Sequence, residues 1–421
     1  MKRALVFSGG GARGAYELGA WQALDEIGLR FDAVYGTSIG AINAAYFAQG
    51  DLALARSLWE GITMKQIVVT KEEDFSIDVA FHNKLDVLPF LLDNVNHLRM
   101  DIAPLEKRVR EGLNEGKLRA CGMELGVMAV AVPQMAPVPM RLKDMKDGTV
   151  ADWLIASASA YPIFQTKVIG RQRYIDGGYY DNLPVDMALQ DGASEVVAVD
   201  IHPAPAHPEY AHMPFLRMVH PRGTLSAFLD FKPALIDRMR RMGYYDTLKA
   251  FDRMQGIVYT FRRGDDVRTA REAARFQLAV ARFDASVIDR HVFHTSQKQQ
   301  PPLITALTRE TPERALTKHE VWLRGLELAA ACMGFREDAI YDPDALARRM
   351  LSFVRAREDV PPLTEEGLAT AAQFGSRALV KCIARGLAED GAIPRDMVPH
   401  LAAIPDETAA AMFLFSLEGT E

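Results

Sequence analysis

The chain has 421 residues, enough for a catalytic-sized domain with a smaller appendage. With 49% hydrophobic and 25% charged residues it has the composition of a globular protein, which excludes a wholly disordered or fibrous chain. The formal charge of −6 argues against nucleic acid as a partner, because phosphate recognition needs a basic surface.

From the N-terminus, two basic residues lead into an apolar run that meets glycine at Gly9, too short for the apolar region of a secretory leader. Arg3 to Phe7 reads as a strand ending at Ser8 and three glycines, and Ala15 to Ile27 follows with Tyr16, Ala20, Leu24 and Ile27 at helical spacing. Asp32 to Tyr35 is a second short apolar run, broken by Gly36, and Ile39 to Ala48 resumes as an alanine-rich helix. This repeat of strand, turn and helix predicts a three-layer α/β/α fold around a mostly parallel sheet, with chemistry at the carboxyl ends of the strands.

Leu85 to Leu92 and Met100 to Leu113 read as helices that cover the sheet edge and suit a lid. Leu125 to Val132 is a β-like run, Trp153 to Ala158 a short helix, Lys167 to Ile169 with Arg173 to Ile175 a hairpin, and Glu195 to Ile201 a buried strand. The sheet is expected to be complete near Asp200, and residues 202–215, with four prolines, to be irregular surface loop. The polar segment Gln297 to Pro302 ends in two prolines and reads as a linker. It sets the expected domains at 1–300, with a catalytic core over 1–205, and 301–421, an all-helical C-terminal region of unassigned role. No stretch supplies the roughly 18 to 20 uncharged apolar residues of a membrane-spanning helix. Cys121, Cys332 and Cys382, odd in number and widely spaced, suit reduced packing thiols. These features predict a cytoplasmic protein in which any membrane contact is peripheral.

Three motifs carry chemistry: Gly9-Gly10-Gly11-Ala12-Arg13-Gly14, Gly36-Thr37-Ser38-Ile39-Gly40 and Asp176-Gly177-Gly178. The second is a GxSxG, a pattern that chance supplies in on the order of one chain in ten of this length. Here it follows a predicted strand and precedes a predicted helix, the context in which a sharp turn presents a nucleophilic serine and needs small residues at both ±2 positions. The glycine-rich motif suits an anion, either phosphate or oxyanion. A dinucleotide site also requires an acidic residue at the end of the second strand, but Asp32 precedes that strand and its end is Gly36-Thr37-Ser38. A P-loop is excluded because no GKS or GKT follows the glycines. In the oxyanion reading, N–H groups near Gly10 and Gly11 face a carbonyl attacked by Ser38, and Arg13 braces the loop or holds an anionic head group.

A serine nucleophile needs a base. Among ten histidines, His202 has the best position, after the strand ending at Ile201, and with Asp176 it would complete a Ser, Asp, His order; against it, His202 opens a proline-rich loop. Polar surface loop is the plainer account of His202, His207, His212 and His220, and a metal site there lacks tight ligand spacing. Asp176, at the end of Tyr174-Ile175-Asp176, is the other candidate, with Asp-Gly as an ordinary turn pair the competing reading.

Taken together and in this order, the three motifs resemble the patatin-like phospholipases. The resemblance extends to the small-residue run Ala156 to Ala160 before Tyr161-Pro162-Ile163-Phe164, and to Asn182-Leu183-Pro184; it covers about residues 1–205. Ser8 departs from it, standing where family members often carry aspartate. The resemblance implies Ser38 as nucleophile and Asp176 as its base without a histidine. It implies an oxyanion hole from Gly9, Gly10, Gly11 and Arg13, supported by Gly14, Gly36, Gly40, Gly177 and Gly178. It also implies lipid or phospholipid esters as substrate, cleaved without calcium, metal or other cofactor. A general carboxylesterase on soluble esters and a membrane- or partner-targeting module with secondary hydrolase activity are the alternatives. Residues 85–92 offer an apolar surface and Arg238, Arg240 and Arg241 a small basic cluster for a lipid surface, against a core helix and a solvated helix face.

Overall fold

The computed structural model describes residues 1–70, 99–202, 206–210, 213–264, 266–288, 301–312, 314–356 and 360–417. Its first unit, Met1–Phe251, is built on an eight-stranded sheet. The strands are β1 (Arg3–Phe7), β2 (Ala33–Thr37), β3 (Glu124–Val132), β4 (Ala136–Arg141), β5 (Lys167–Ile169), β6 (Gln172–Asp176), β7 (Glu195–Val199) and β8 (Leu216–Val219). The pairs β1 with β2, β1 with β7, β2 with β3 and β7 with β8 are parallel, while β4 and β6 join β3 antiparallel and β5 closes a hairpin with β6. Period-two alternation decides what each strand buries: Leu5 and Phe7 enter one core, Ala4 and Val6 the other.

The larger core packs against α1 (Ala15–Ile27), α2 (Ile39–Gln49), α3 (Leu52–Trp59), α4 (Ala103–Gly112), α5 (Glu115–Ala120) and α6 (Val150–Ser157). The opposite face packs against α7 (Val185–Gln190), and α8 (Pro233–Ala250) returns to the larger core through Ile236, Met239 and Met242. Helices on both faces of a mostly parallel sheet are the three-layer architecture expected. The helix anticipated from Met100 runs over Ala103–Gly112. The helix anticipated over 85–92, the other part of the expected lid, lies outside the described residues.

The sheet is not complete at Asp200. β8 adds a further parallel strand after the proline-rich segment, and its four residues are too few to stand out beside those prolines. β4 was also not anticipated, because Pro137 and Pro139 break its pattern. It pairs with β3 alone, and an edge strand can spare the missing N–H donors.

The second unit is Asp252–Glu421, so the division falls after Phe251 and not near residue 300. The reason is α9 (Asp266–Ile288), which buries Ala273, Phe276, Val280 and Phe283 in one core with Trp322 and Phe413. Residues 297–300 of the expected linker lie outside the described residues, and Pro302 opens a helix. This unit is mainly helical but holds one parallel pair of two-residue strands, Thr260–Phe261 with Ile340–Tyr341, too short to register as a strand in the sequence. Among the described residues no helix is long and apolar enough to cross a membrane.

The buried Glu327 organises this second core. One carboxylate oxygen accepts N–H bonds from Ile257, Val258 and Tyr259 at 2.6, 3.0 and 3.1 Å, and the other takes the buried Arg324 guanidinium. Removing one member strands the other as an uncompensated buried charge. Glu327→Ala is therefore expected to cost about 3–5 kcal/mol; an unchanged urea midpoint for the full chain would contradict it.

Candidate active site

One residue separates β2 from α2, and it is Ser38. Its backbone lies at φ 57° and ψ −127°, a region that a side chain occupies only where its surroundings hold it there. The holding contacts are specific. The Ser38 N–H donates to Ser157 Oγ at 2.9 Å, and Ser157 Oγ donates to the Met128 carbonyl at 2.6 Å. The flanking glycines are needed for close approach: a Cβ on Gly36 would sit 2.2 Å from the Gly40 oxygen, and one on Gly40 2.5 Å from the Ser8 oxygen. The turn thus packs onto the end of β1, next to the glycine-rich loop.

The register of β3 brings Asp176 to the same place. On one side of β3, Thr37 is opposite Met128 and Asp176 is opposite Ala129, on successive rungs, while β4 occupies the other side from Gly126 to Ala131. β2 and β6 therefore run into each other end to end, and their last residues face one another. The Asp176 N–H is anchored on the Ser159 carbonyl at 2.9 Å, and its Oδ1 accepts the Gly178 N–H at 2.8 Å. Burial pushes the Asp176 carboxyl up to about 6, against the opposing pull of hydrogen bonds from the Ser38 side chain and the Gly178 N–H.

The glycine loop closes the third side. A Cβ on Gly9 would lie 2.8 Å from Ser38 Cβ, and Gly11 takes φ 57° with its backbone against Phe228. The Gly9 N–H donates to the Asn182 carbonyl at 3.0 Å and the Ala12 N–H to the Phe228 carbonyl at 2.8 Å. Among the described residues, the Gly10 and Gly11 N–H groups have no intramolecular acceptor. The donor set expected from Gly9 to Gly11 narrows to Gly10 and Gly11, because the Gly9 N–H is engaged. The buried Arg13 donates from Nε to the Ser226 carbonyl at 2.8 Å, which is the bracing alternative.

His202 sits elsewhere in the network. Its Nδ1 lies 3.0 Å from Asp200 Oδ1 and its Nε2 2.8 Å from Asn182 Nδ2; among the described residues no hydrogen bond joins it to Ser38. His207 pairs with Asp181 and Glu209, which hold it up at about 9, and burial lowers His220. His212 lies outside the described residues. Asp32 accepts the Arg3 N–H at 2.8 Å, at the opposite end of β1 from the glycines, where it cannot serve a dinucleotide on that loop. The basic cluster is tied inward: Arg240 and Arg241 pair with Asp237, and Arg238 donates to the Thr224 carbonyl.

Sequence reasoning passed over four polar residues. Ser157 and Asn182 stand in the segments that carried the resemblance, but their partners are distant in sequence. Asn43 Nδ2 donates to the Gly14 carbonyl at 3.0 Å and to Glu17 Oε2 at 2.7 Å, and Trp59 Nε1 donates to Asn43 Oδ1 at 3.1 Å. Glu17 and Asn43 interrupt otherwise apolar buried helix faces, and that was the available signal.

Residues 5–189 match the family model described as Patatin-like phospholipase. This stretch is a patatin-like phospholipase domain. A "cUMP-AMP-activated phospholipase" of Escherichia coli is 28% identical over 213 residues, covering 45% of this chain and 58% of that protein. The human "Patatin-like phospholipase domain-containing protein 6" is 28% identical over 202 residues, 47% of this chain and 13% of that protein. The chain thus spans little more than half the length of the first relative and a small part of the second. The crystal structure of VipD from Legionella pneumophila aligns over 99% of this chain and 90% of its own at 14% identity and a TM-score of 0.40, a likeness too distant to carry any argument.

Two outcomes test the forces that shape the patatin-like domain. Ser38→Gly relieves the backbone strain and should raise stability by about 1 kcal/mol, whereas Ser38→Ala should not; equal melting temperatures would refute the strain. Glu17 is fully buried with Oε1 unpaired, and desolvation raises its pKa well above the ordinary value. A raised folded pKa means the stability is complete below the unfolded value near 4.3 and is lost as pH climbs toward the folded value. Glu17→Gln should therefore match wild type at pH 4 and exceed it at pH 8, and a parallel pH dependence in calorimetry would disprove this.

Proposed function

We propose that the chain is a serine lipid acyl hydrolase of the phospholipase A or lysophospholipase type, in which Ser38 and Asp176 form a two-residue catalytic dyad. The observation that carries this reading is the juxtaposition of a strained Ser38 with a buried Asp176 whose carboxyl is raised to about 6, beside two unengaged N–H groups.

Each group has one task. Asp176 accepts the Ser38 proton as Oγ attacks the ester carbonyl, and Gly10 and Gly11 N–H receive the oxygen as it gains charge. The intermediate collapses, the alcohol leaves with the proton from Asp176, and the acyl group remains on Ser38 Oγ. Water then attacks the acyl-enzyme as Asp176 takes its proton, and Ser38 recovers that proton as the fatty acid leaves. No step draws on calcium. Preference for lipid over small esters rests on the family resemblance and the two relatives' printed names, and rates on micellar against monomeric substrate separate it from general carboxylesterase activity.

Hydrolysis of a fluorogenic phospholipid in EDTA is the test. Ser38→Ala and Asp176→Asn should each lose at least about a thousandfold in kcat. An Asp176→Asn enzyme that keeps its rate would overturn the dyad. The base must be ionised, so kcat/KM should be level above pH 7 and fall tenfold per unit below about 6. A lower limb centred near 4 would contradict a desolvated base.

A further inference from the structure

The Gly10 N–H belongs to the same planar peptide unit as the Gly9 carbonyl, so whatever fixes that carbonyl fixes the direction of the N–H. Among the described residues the carbonyl is held by one side chain. Asn182 Nδ2 donates to the Gly9 oxygen at 3.2 Å, while the Asn182 backbone carbonyl accepts the Gly9 N–H at 3.0 Å. Asn182 also lies against the Asp176 turn, since a Cβ on Gly178 would fall 2.7 Å from its Oδ1.

The amide of Asn182 is oriented in turn. Asp200 is buried, and its Oδ1 sits 3.0 Å from His202 Nδ1 and accepts the His202 backbone N–H at 3.2 Å, while Oδ2 takes the Ala206 N–H at 2.8 Å. Asn182 Nδ2 lies 2.8 Å from His202 Nε2 and 3.1 Å from Nδ1; a carboxylate at Asp200 selects the tautomer with hydrogen on Nδ1, so of the two ring nitrogens only Nε2 keeps a lone pair to accept from Asn182. The two hydrogens of Asn182 then have one acceptor each, the Gly9 carbonyl and His202 Nε2.

We propose that Asn182 and His202 are positioning residues for the oxyanion hole, acting in series from Asp200 through His202 and Asn182 to aim the Gly10 N–H. This rests on the hydrolase reading above. It gives His202 a role as acceptor for an amide, distinct from that of a base on Ser38.

The series makes quantitative demands on the full-length enzyme. Asn182→Ala should lower kcat by about tenfold to a hundredfold with KM nearly unchanged, because a misaimed donor acts on the transition state. His202→Ala should lower kcat less, and the double variant should be no worse than Asn182→Ala alone, since His202 acts only through Asn182. His202→Gln can donate to Asp200 and accept from Asn182, and should recover most of the loss. A base role predicts no such recovery. Losses that multiply in the double variant, or His202→Gln as poor as His202→Ala, would overturn the proposal.

Hydrogen exchange of the amides in residues 8–14 gives a readout that needs no substrate. It should quicken in Asn182→Ala and His202→Ala while exchange in the sheet stays as in wild type. If wild type cleaves no ester, the hydrolase reading fails and this exchange still decides the series, unaltered exchange refuting it. Asn182→Ser, too short to span both acceptors, carries the same expectation should an alanine variant not fold.

Discussion

Strand β3 changes neighbour between Met128 and Ala129, and the geometry of the candidate site depends on that change. Up to Met128 its partner is β2, whose last residue is Thr37; from Ala129 its partner is β6, whose last residue is Asp176. Two strands that meet head-on against a third must both leave the sheet at the junction, and they leave through Ser38 and Gly177. The same Met128 carbonyl accepts the Ser157 hydroxyl and lies 2.2 Å from where a Cβ on Gly177 would be, so both turns pack on one peptide group.

Hydrogen bonds from distant segments hold what the register brings together. Ser157 reaches the elbow from α6, Ser159 anchors Asp176, and Asn182 clasps both polar groups of Gly9. Each tie satisfies a backbone group that the turn geometry would leave unpaired in a buried place, where an orphan costs on the order of 1–3 kcal/mol. Strain at Ser38 persists because the turn is fixed at both ends by contacts that a relaxed backbone would break.

The legible part of the sequence is the part in which one residue type does one local job. Period-two and 3.6-residue patterns marked β1, α1, β2 and α2, and glycine spacing marked the elbow and the loop. What stayed hidden was non-local. Nothing near Asn182 announces Gly9, and nothing in α9 says that Phe276 packs with Phe413, so the polar segment ending in two prolines near residue 300 suggests a boundary that burial places after Phe251. The strands β4 and β8 were missed for a local reason: prolines within or before a short strand mask its alternation.

In the proposed dyad, burial is what would let an aspartate serve where a histidine is the common choice. A carboxylate at its ordinary pKa is too weak a base for a serine hydroxyl near neutral pH, and an exposed Asp176 would be one. Taken out of water and left with few donors, it rises to about 6, into the range where a base is both ionised and effective. Asp200, equally deep but fed by the His202 ring, its N–H and the Ala206 N–H, is fully satisfied as an acceptor and anchors the loop. Two buried aspartates at the ends of β6 and β7 thus differ in the number of donors each receives, and His202, the residue placed to act as a base by chain order, is already occupied by the second of them.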